Sequence, residues 1–487
     1  MRRGRVYDLA VLGGGTAGLV AAHGAAGLGA RTVLVERREQ TGGDCLWTGC
    51  VPSKSLIAAA DLAQRMRTGD RVGLAPVRPE IDFGRVMDHV RRARSAIEPY
   101  DSIDRLRAHG VEVLHGEGRL GGPGRLVVGS RTLRFRRALI ATGSVPVVPA
   151  LPGIDEAGLL TSDTVWDLRE LPARLAIIGG GAIGCELGQA FARIGSSVTI
   201  VEMEGALLPG EEPECRDLIA ERLRAEGVAV RPGSTALRVE AGPGGRRLVI
   251  RTGAGEGEEA VPFDRILVAV GRRPSTRGIG LEEAGVELGE DGAVRIDATL
   301  RTGAAGIFAA GDVTGSPYFT HIAGAQGRIV VANALFHARG RFDPAAVPWV
   351  TFTDPEVGRV GLTEKQARAR FGSRVAVARH DYAHLDRAIT AGAAYGFAKL
   401  VAGPRGRLVG ATVAAPRGGE AIDALALRVA RGDRLADISR QIHAYPTFSE
   451  GPARAADEYL RARWLTPRVR GLTRPALALL RLLERRR

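Results

Sequence analysis

Two cysteines, Cys45 and Cys50, lie five positions apart in the run Gly42-Gly-Asp-Cys45-Leu-Trp-Thr-Gly-Cys50-Val-Pro-Ser-Lys54. The chain has 487 residues and four cysteines. That is too few for a disulfide framework at this size, so a close pair points to catalysis or to metal binding. The glycines, the proline and Lys54 around the pair favour reactive over structural cysteines, since reactive thiols need nearby positive charge and access. Cys185, at an expected helix start, and Cys215, in a charged stretch, have no partner at such spacing and are read as unreactive.

A second pattern occurs twice. Residues 6 to 36 hold an apolar strand-like run ending at Leu12, then Gly13, Gly15 and Gly18, an Ala-rich helical stretch, the run Thr32 to Val35, and Glu36. Residues 175 to 202 repeat it with Leu175 to Ile178, Gly179, Gly181 and Gly184, a second helical stretch, Val198 to Val201, and Glu202. Both copies put the acid 23 residues after the first glycine. The first glycine allows a tight turn, the second lets the backbone approach a pyrophosphate, and the third lets the helix pack close to its strand. The helix start then offers unpaired N–H groups and positive dipole to phosphate, and the acid accepts from a ribose. Two copies imply two bound dinucleotides. An acid at Glu202 suits a free 2′-hydroxyl and repels a 2′-phosphate, which favours NADH over NADPH. Arg272 and Arg273, in the same region, are the residues that would reverse this if the fold brought one to a 2′-phosphate.

These elements define a domain plan. Pro/Gly clusters at 146–153, 271–274 and 342–348 mark boundaries. Beyond Pro348, runs at 350–353, 375–377, 397–401 and 409–413 read as strands, separated by helical stretches at 363–370 and 419–430. The expected fold is α/β, with two Rossmann-like dinucleotide-binding domains and a C-terminal α+β domain. The expected divisions are 1–149 with 275–345, then 150–274, 346–465, and a basic tail at 466–487.

From Val6 to about Glu450 the chain resembles the class I pyridine nucleotide-disulfide oxidoreductases, the family of lipoamide dehydrogenase, glutathione reductase and mercuric reductase. The likeness rests on the Gly42–Lys54 run, Ala141-Thr142-Gly143, the segment Gly306 to Asp312, and the stretch containing His321. It implies FAD on the first module, NAD(P)H on the second, and a homodimer formed by the C-terminal domain. It further implies that Asp312 binds the ribityl chain and that Lys54 and Glu186 form an ion pair beside flavin N5. Cys50 would then be the thiolate against the flavin, and Cys45 the sulfur that meets the substrate by exchange.

One position departs from the pattern. Disulfide-reducing members have a histidine before Pro-Thr, oriented by a glutamate, whereas this chain reads His443-Ala-Tyr445-Pro-Thr-Phe-Ser-Glu450. Tyr445 takes the histidine's place and Glu450 keeps its own. Tyrosine, with a pKa of ~10, is a poor acid for a leaving thiolate compared with histidine at ~6.5. His443, two residues away, points elsewhere in an extended segment. The pattern is nearest to mercuric reductase-like members, although residues 451 to 487 hold no cysteine for a C-terminal relay. The electron acceptor is thus a disulfide, a soft metal ion or a quinone. The rival readings are a dihydrolipoyl dehydrogenase and a flavin-containing redox sensor or membrane-associated scaffold with little turnover.

Composition limits the remaining classes. Apolar residues make up 45% and charged residues 25%, with no apolar tract of membrane-spanning length. Asp8 and the glycines from Gly13 interrupt any signal-peptide core, so a cytoplasmic protein is expected. The net charge is +14, but residues 461 to 487 alone hold nine Arg against one Glu. Nucleic-acid binding is therefore not expected, and no resident metal site is read. From Thr473 onward the tail reads as a helix with Pro475 in its first turn. Arg474, Arg481 and Arg485 would lie on one side and Leu479, Leu480 and Leu483 on the other. That pattern suits peripheral contact with the inner face of a membrane, or packing on the chain's own domain.

Overall fold

The computed structural model describes residues 6–155, 158–242, 245–253 and 257–484. They form two compact units. The first comprises Met1–Gly69, Ala75–Pro209 and Ala220–Asp343; the second comprises Asp70–Leu74, Gly210–Ile219 and Pro344–Arg487.

In the first unit, strand Val6–Leu12 lies between Thr32–Glu36 and Arg131–Ile140, all parallel, with Val111–His115 beyond the former and Ile307–Ala309 on the latter. Successive side chains of a strand point to opposite faces. Leu9 and Val11 therefore join Ala17, Ala21 and Ala25 of helix Thr16–Gly27 in one core, while Ala10 and Leu12 join Leu126, Leu281 and Val294 in the other. Burial on both faces is why the strand reads as a continuous apolar run. A second parallel sheet has the order Ala229–Arg231, Ser197–Val201, Arg174–Ile178, Arg265–Val268, Leu159–Thr161. Helix Ala182–Ile194 links Arg174–Ile178 to Ser197–Val201, as Thr16–Gly27 does in the first module.

The second unit is built on an antiparallel sheet in the order Pro348–Thr351, Glu356–Gly361, Leu408–Ala415, Phe397–Ala402, Ala376–Asp381. Strand Glu356–Gly361 has no counterpart in the sequence reading, because Gly358, Arg359 and Gly361 break its apolar run. Helix Gly451–Trp464 was likewise not read from the pattern, and its alanines Ala453, Ala455 and Ala456 are buried in the core beneath it. Inside this unit Lys399 is buried and ion-paired to Glu212, Glu214 and Glu364.

The tail helix differs from expectation. It runs Pro467–Glu484, with Pro475 inside it, because Thr466 Oγ1 accepts from Val469 N–H and Pro467 already suits a helix start. No residue of this helix is buried. Arg485 lies outside the described residues. No helix among the described residues is long and apolar enough to cross a membrane.

The third glycine of each module meets the strictest packing. A Cβ on Gly184 would come within 1.9 Å of the Gly179 carbonyl oxygen, whereas one on Gly181 would meet nothing within 4 Å. Gly184→Ala should therefore destabilise the fold by about 1–3 kcal/mol, the ordinary cost of overpacking, and Gly181→Ala should not. Thermal unfolding of the two variants checks this.

Candidate redox site

Each glycine loop is shaped by its own acid. Glu36 accepts from Gly14 N–H at 2.6 Å and from Arg38 N–H at 2.8 Å. Glu202 accepts from Gly180 N–H at 2.5 Å and from Glu204 N–H at 2.7 Å. The amides of Gly13 and Gly179 donate to Val35 and Val201 carbonyls, both at 2.8 Å. The repeat read from sequence is thus a repeat of hydrogen bonds. Carboxylate oxygens have further lone pairs for ribose hydroxyls, and Gly15 and Gly181 directly precede the helices Thr16–Gly27 and Ala182–Ile194. This donor set fits two dinucleotides.

The cysteine segment folds onto the first loop. Gly42 N–H donates to Gly14 O at 2.9 Å, and a Cβ on Gly43 would lie 2.7 Å from Gly15 Cα, so the two backbones touch. Cys45 lies on the short helix Gly43–Trp47, and Cys50 is the first residue of helix Cys50–Arg67. Both are free thiols, Cys45 half-buried and Cys50 exposed. Thr320 Oγ1 is 3.3 Å from Cys50 Sγ. One turn along the same helix, Lys54 Nζ pairs with Glu186 Oε2 at 2.8 Å.

The two thiols are electrostatically unequal. The hydrogen bond from Cys45 lowers the Cys50 pKa to about 6, aided by Thr320 and Lys54 and opposed by local desolvation of the sulfur and by the Glu186 charge. Cys45 is pushed up by giving that same hydrogen bond and by burial. Cys185 and Cys215 are buried, and burial raises both thiols well above their ordinary range, which fits their reading as unreactive.

Ser144, Ser162, Ser275 and Thr320, which sequence reasoning did not single out, tie residues that it did name to one another. Asp312, whose carboxyl is raised by burial, accepts from Ser144 Oγ at 2.7 Å. Arg272 Nε donates to the same Ser144 Oγ at 2.7 Å, and its other nitrogens reach Ser162 Oγ at 3.1 Å and the Asp44 carboxylate. Arg272 is thereby tied to Asp44, the residue that precedes Cys45. Thr142 Oγ1 donates to Ser275 O at 2.7 Å, and Gly143 O accepts from Ser275 N–H at 2.9 Å, so Ala141-Thr142-Gly143 ties strand Arg131–Ile140 to the later chain. His321 is exposed and stacks on Phe319 with ring centroids 5.3 Å apart.

In the second unit Tyr445 donates to Asp386 Oδ2 at 2.9 Å, which raises its pKa above the ordinary tyrosine value. Glu450 accepts from Thr447 N–H and from Arg454, each at 3.2 Å, rather than from Tyr445. His443 Nε2 lies 3.2 Å from the Ile438 carbonyl. Among the described residues no group of three or more His, Cys, Asp or Glu could hold a metal ion.

Two dinucleotide folds meeting at a lysine-supported dithiol define a nucleotide-dependent thiol redox protein. The chain belongs to the pyridine nucleotide-disulphide oxidoreductase family, whose model matches residues 7–327, with the family's dimerisation domain at 347–456. Over 464 residues it is 36% identical to a dihydrolipoyl dehydrogenase of Thermus scotoductus, covering 93% of this chain and 97% of that one. Over 460 residues it is 36% identical to a mercuric reductase of Streptomyces lividans, covering 93% and 96%. A solved Cu(II) complex of the HOCl-induced flavoprotein disulfide reductase RclA from Escherichia coli matches with a TM-score of 0.82 at 28% identity, covering 93% of this chain and 99% of that one. The protein is accordingly an FAD-dependent disulfide oxidoreductase that uses a pyridine nucleotide, and its dimerisation domain supports a homodimer.

In the reduced protein, ultraviolet thiolate absorbance should rise with a midpoint of about pH 6, where Cys50 titrates. Cys50→Ser should remove that step, and Thr320→Val should move it to higher pH.

Proposed function

We propose that the chain oxidises NADH and passes the electrons through FAD and the Cys45–Cys50 pair to a thiophilic metal ion. Bound FAD supplies the two-electron relay between nicotinamide and dithiol. Gly13, Gly15, Gly18 and Glu36 hold its pyrophosphate and ribose, with Ala141, Thr142, Gly143, Asp312 and His321 along the remainder. Gly179, Gly181, Gly184 and Glu202 hold the nicotinamide nucleotide. Lys54 and Glu186 keep a fixed ion pair at the reacting end, and Thr320 donates to the Cys50 thiolate. Cys45 keeps its proton until an electrophile arrives, after which both sulfurs serve as soft ligands. The Cys45 proton leaves as that sulfur binds the metal; two electrons then leave the two thiolates, which close to a disulfide, and one Hg(II) becomes Hg(0) or two Cu(II) become Cu(I).

The observation that carries this reading is the state of Tyr445. Its hydroxyl is committed to Asp386 and titrates above the ordinary tyrosine range, so it is no acid for a leaving thiolate near neutral pH. A metal ion needs thiolates and no such acid. NADH is favoured because Glu202 and Glu204 are both acids at the strand end, while Arg272 is bound to Asp44, Ser144 and Ser162. Turnover with Hg(II), Cu(II), lipoamide, glutathione disulfide and a quinone, each with NADH and NADPH, tests the assignment. Metal reduction should exceed disulfide reduction, and Tyr445→His should raise the disulfide rate by about a hundredfold. Lipoamide turnover above that of either metal would instead make it a dihydrolipoyl dehydrogenase.

The tail supports peripheral contact with an anionic bilayer. On helix Pro467–Glu484, Val469, Leu472, Leu479, Leu480 and Leu483 share one face and Arg470, Arg474 and Arg481 the other, and these four leucines are exposed. Trp464 and Leu465, just before it, are exposed as well. The full chain should co-sediment with phosphatidylserine-containing vesicles and less with neutral ones, and a chain ending at residue 465 should not. Equal binding by the two chains would end the idea.

A further inference from the structure

The Lys54–Glu186 pair has a counterpart two turns away. Asp61 follows Lys54 by seven residues on helix Cys50–Arg67, and Arg193 follows Glu186 by seven on helix Ala182–Ile194. Seven residues are about two turns, or roughly 10.5 Å of rise, so each helix carries both charges on one face. Arg193 Nη1 meets Asp61 Oδ1 at 2.5 Å. The polarity is reversed between the pairs: cation to anion at Lys54–Glu186, anion to cation at Asp61–Arg193. Sliding one helix by one turn would break both pairs, and sliding it by two would set Lys54 against Arg193.

Arg193 is itself anchored. Its side chain is 2% exposed, and its Nε and Nη2 both reach Glu226, which is 5% exposed, at 2.7 Å. Glu226 also pairs with Arg222 at 3.0 Å. Arg67, the last residue of the cysteine-bearing helix, donates to the Arg193 carbonyl at 2.6 Å. The guanidinium is thus fixed in the second nucleotide module, and Asp61, 31% exposed, is what the first module offers to it.

We propose that Asp61 and Arg193 are positioning residues for the redox centre: they set the register of the two helices that carry Cys50, Lys54 and Glu186. Both pairs bridge the same two helices at the same seven-residue offset, so a shift at Asp61–Arg193 is carried along the helices to Lys54–Glu186. The proposal rests on Lys54 and Glu186 serving the reacting end as described above, and it is independent of the electron acceptor.

The test uses the FAD-loaded dimer. Asp61→Asn removes the charge at constant shape and leaves the Arg193–Glu226 anchor, Asp61→Glu keeps the charge, and Lys54→Met is the reference. Flavin reduction by NADH is followed by rapid mixing over a range of NADH concentrations. The long-wavelength absorbance of a thiolate beside the flavin is recorded after reduction, and thermal unfolding in parallel. Asp61→Asn should slow maximal flavin reduction by about tenfold, as small misplacements of reacting groups do, with little change in the NADH concentration for half-maximal rate. It should also weaken the long-wavelength band, and Asp61→Glu should restore both to within about twofold of the parent. If Asp61→Asn lowers only the melting temperature while rate and band stay near parental, the pair is structural and the proposal fails. If Lys54→Met slows reduction and Asp61→Asn does not, this proposal falls while the role of Lys54 stands. If neither variant changes it, both fall.

Discussion

A lysine and a glutamate 2.8 Å apart, the lysine partly exposed and the glutamate almost buried, join the two nucleotide modules of this protein at the place where the dithiol begins. Losing Lys54 would leave Glu186 buried and unmatched, so the pair is costly to break from that side. Its geometry depends on where two helices start. One starts at Cys50, after a segment pressed against the first glycine loop; the other starts after Gly181, where Gly184 passes close to Gly179. The packing of both loops is therefore transmitted along rigid helices to a single contact.

The surroundings of the dithiol divide labour between the cysteines. The hydrogen bond from Cys45, then Thr320 and Lys54, stabilise negative charge on Cys50, while Cys45 retains its proton. One sulfur is electron-rich and the other is held in reserve. Two equivalent thiols would share the first proton loss equally and leave the order of the chemistry open; here the environment sets the order. Asp44, the residue before Cys45, is held by Arg272 within a network reaching Ser144 and Asp312.

What could be read from sequence was what the chain writes locally. The glycine–acid repeat, the cysteine run and Lys54 each fall within a few tens of residues, and backbone geometry over that span leaves little freedom. Glu186 came from the family resemblance and not from the repeat, since the first module has Val20 at the matching position. Thr320 was not found and Arg272 was weighed only for a 2′-phosphate, since their partners lie 270 and 228 residues away and neither has a spacing to mark it. Thr320 does sit beside His321, which was singled out, so its neighbourhood was visible though its role was not. In the second unit, Glu212 and Glu214 reach Lys399 across 187 and 185 residues, which no local pattern signals. The strand Glu356–Gly361 was hidden for a different reason, its glycines and arginine masking an element that neighbouring strands hold in place.

The doubled acid in the nucleotide loops has an effect on association itself. Glu36 and Glu202 each clamp two backbone amides of their own module, so each loop is tied down by the chain alone. A dinucleotide arriving at such a loop has little conformational entropy left to remove, and more of its contact energy is retained as affinity. Replacing either acid would thus act twice, taking away a ribose acceptor and returning to the loop a disorder that the incoming nucleotide must then suppress.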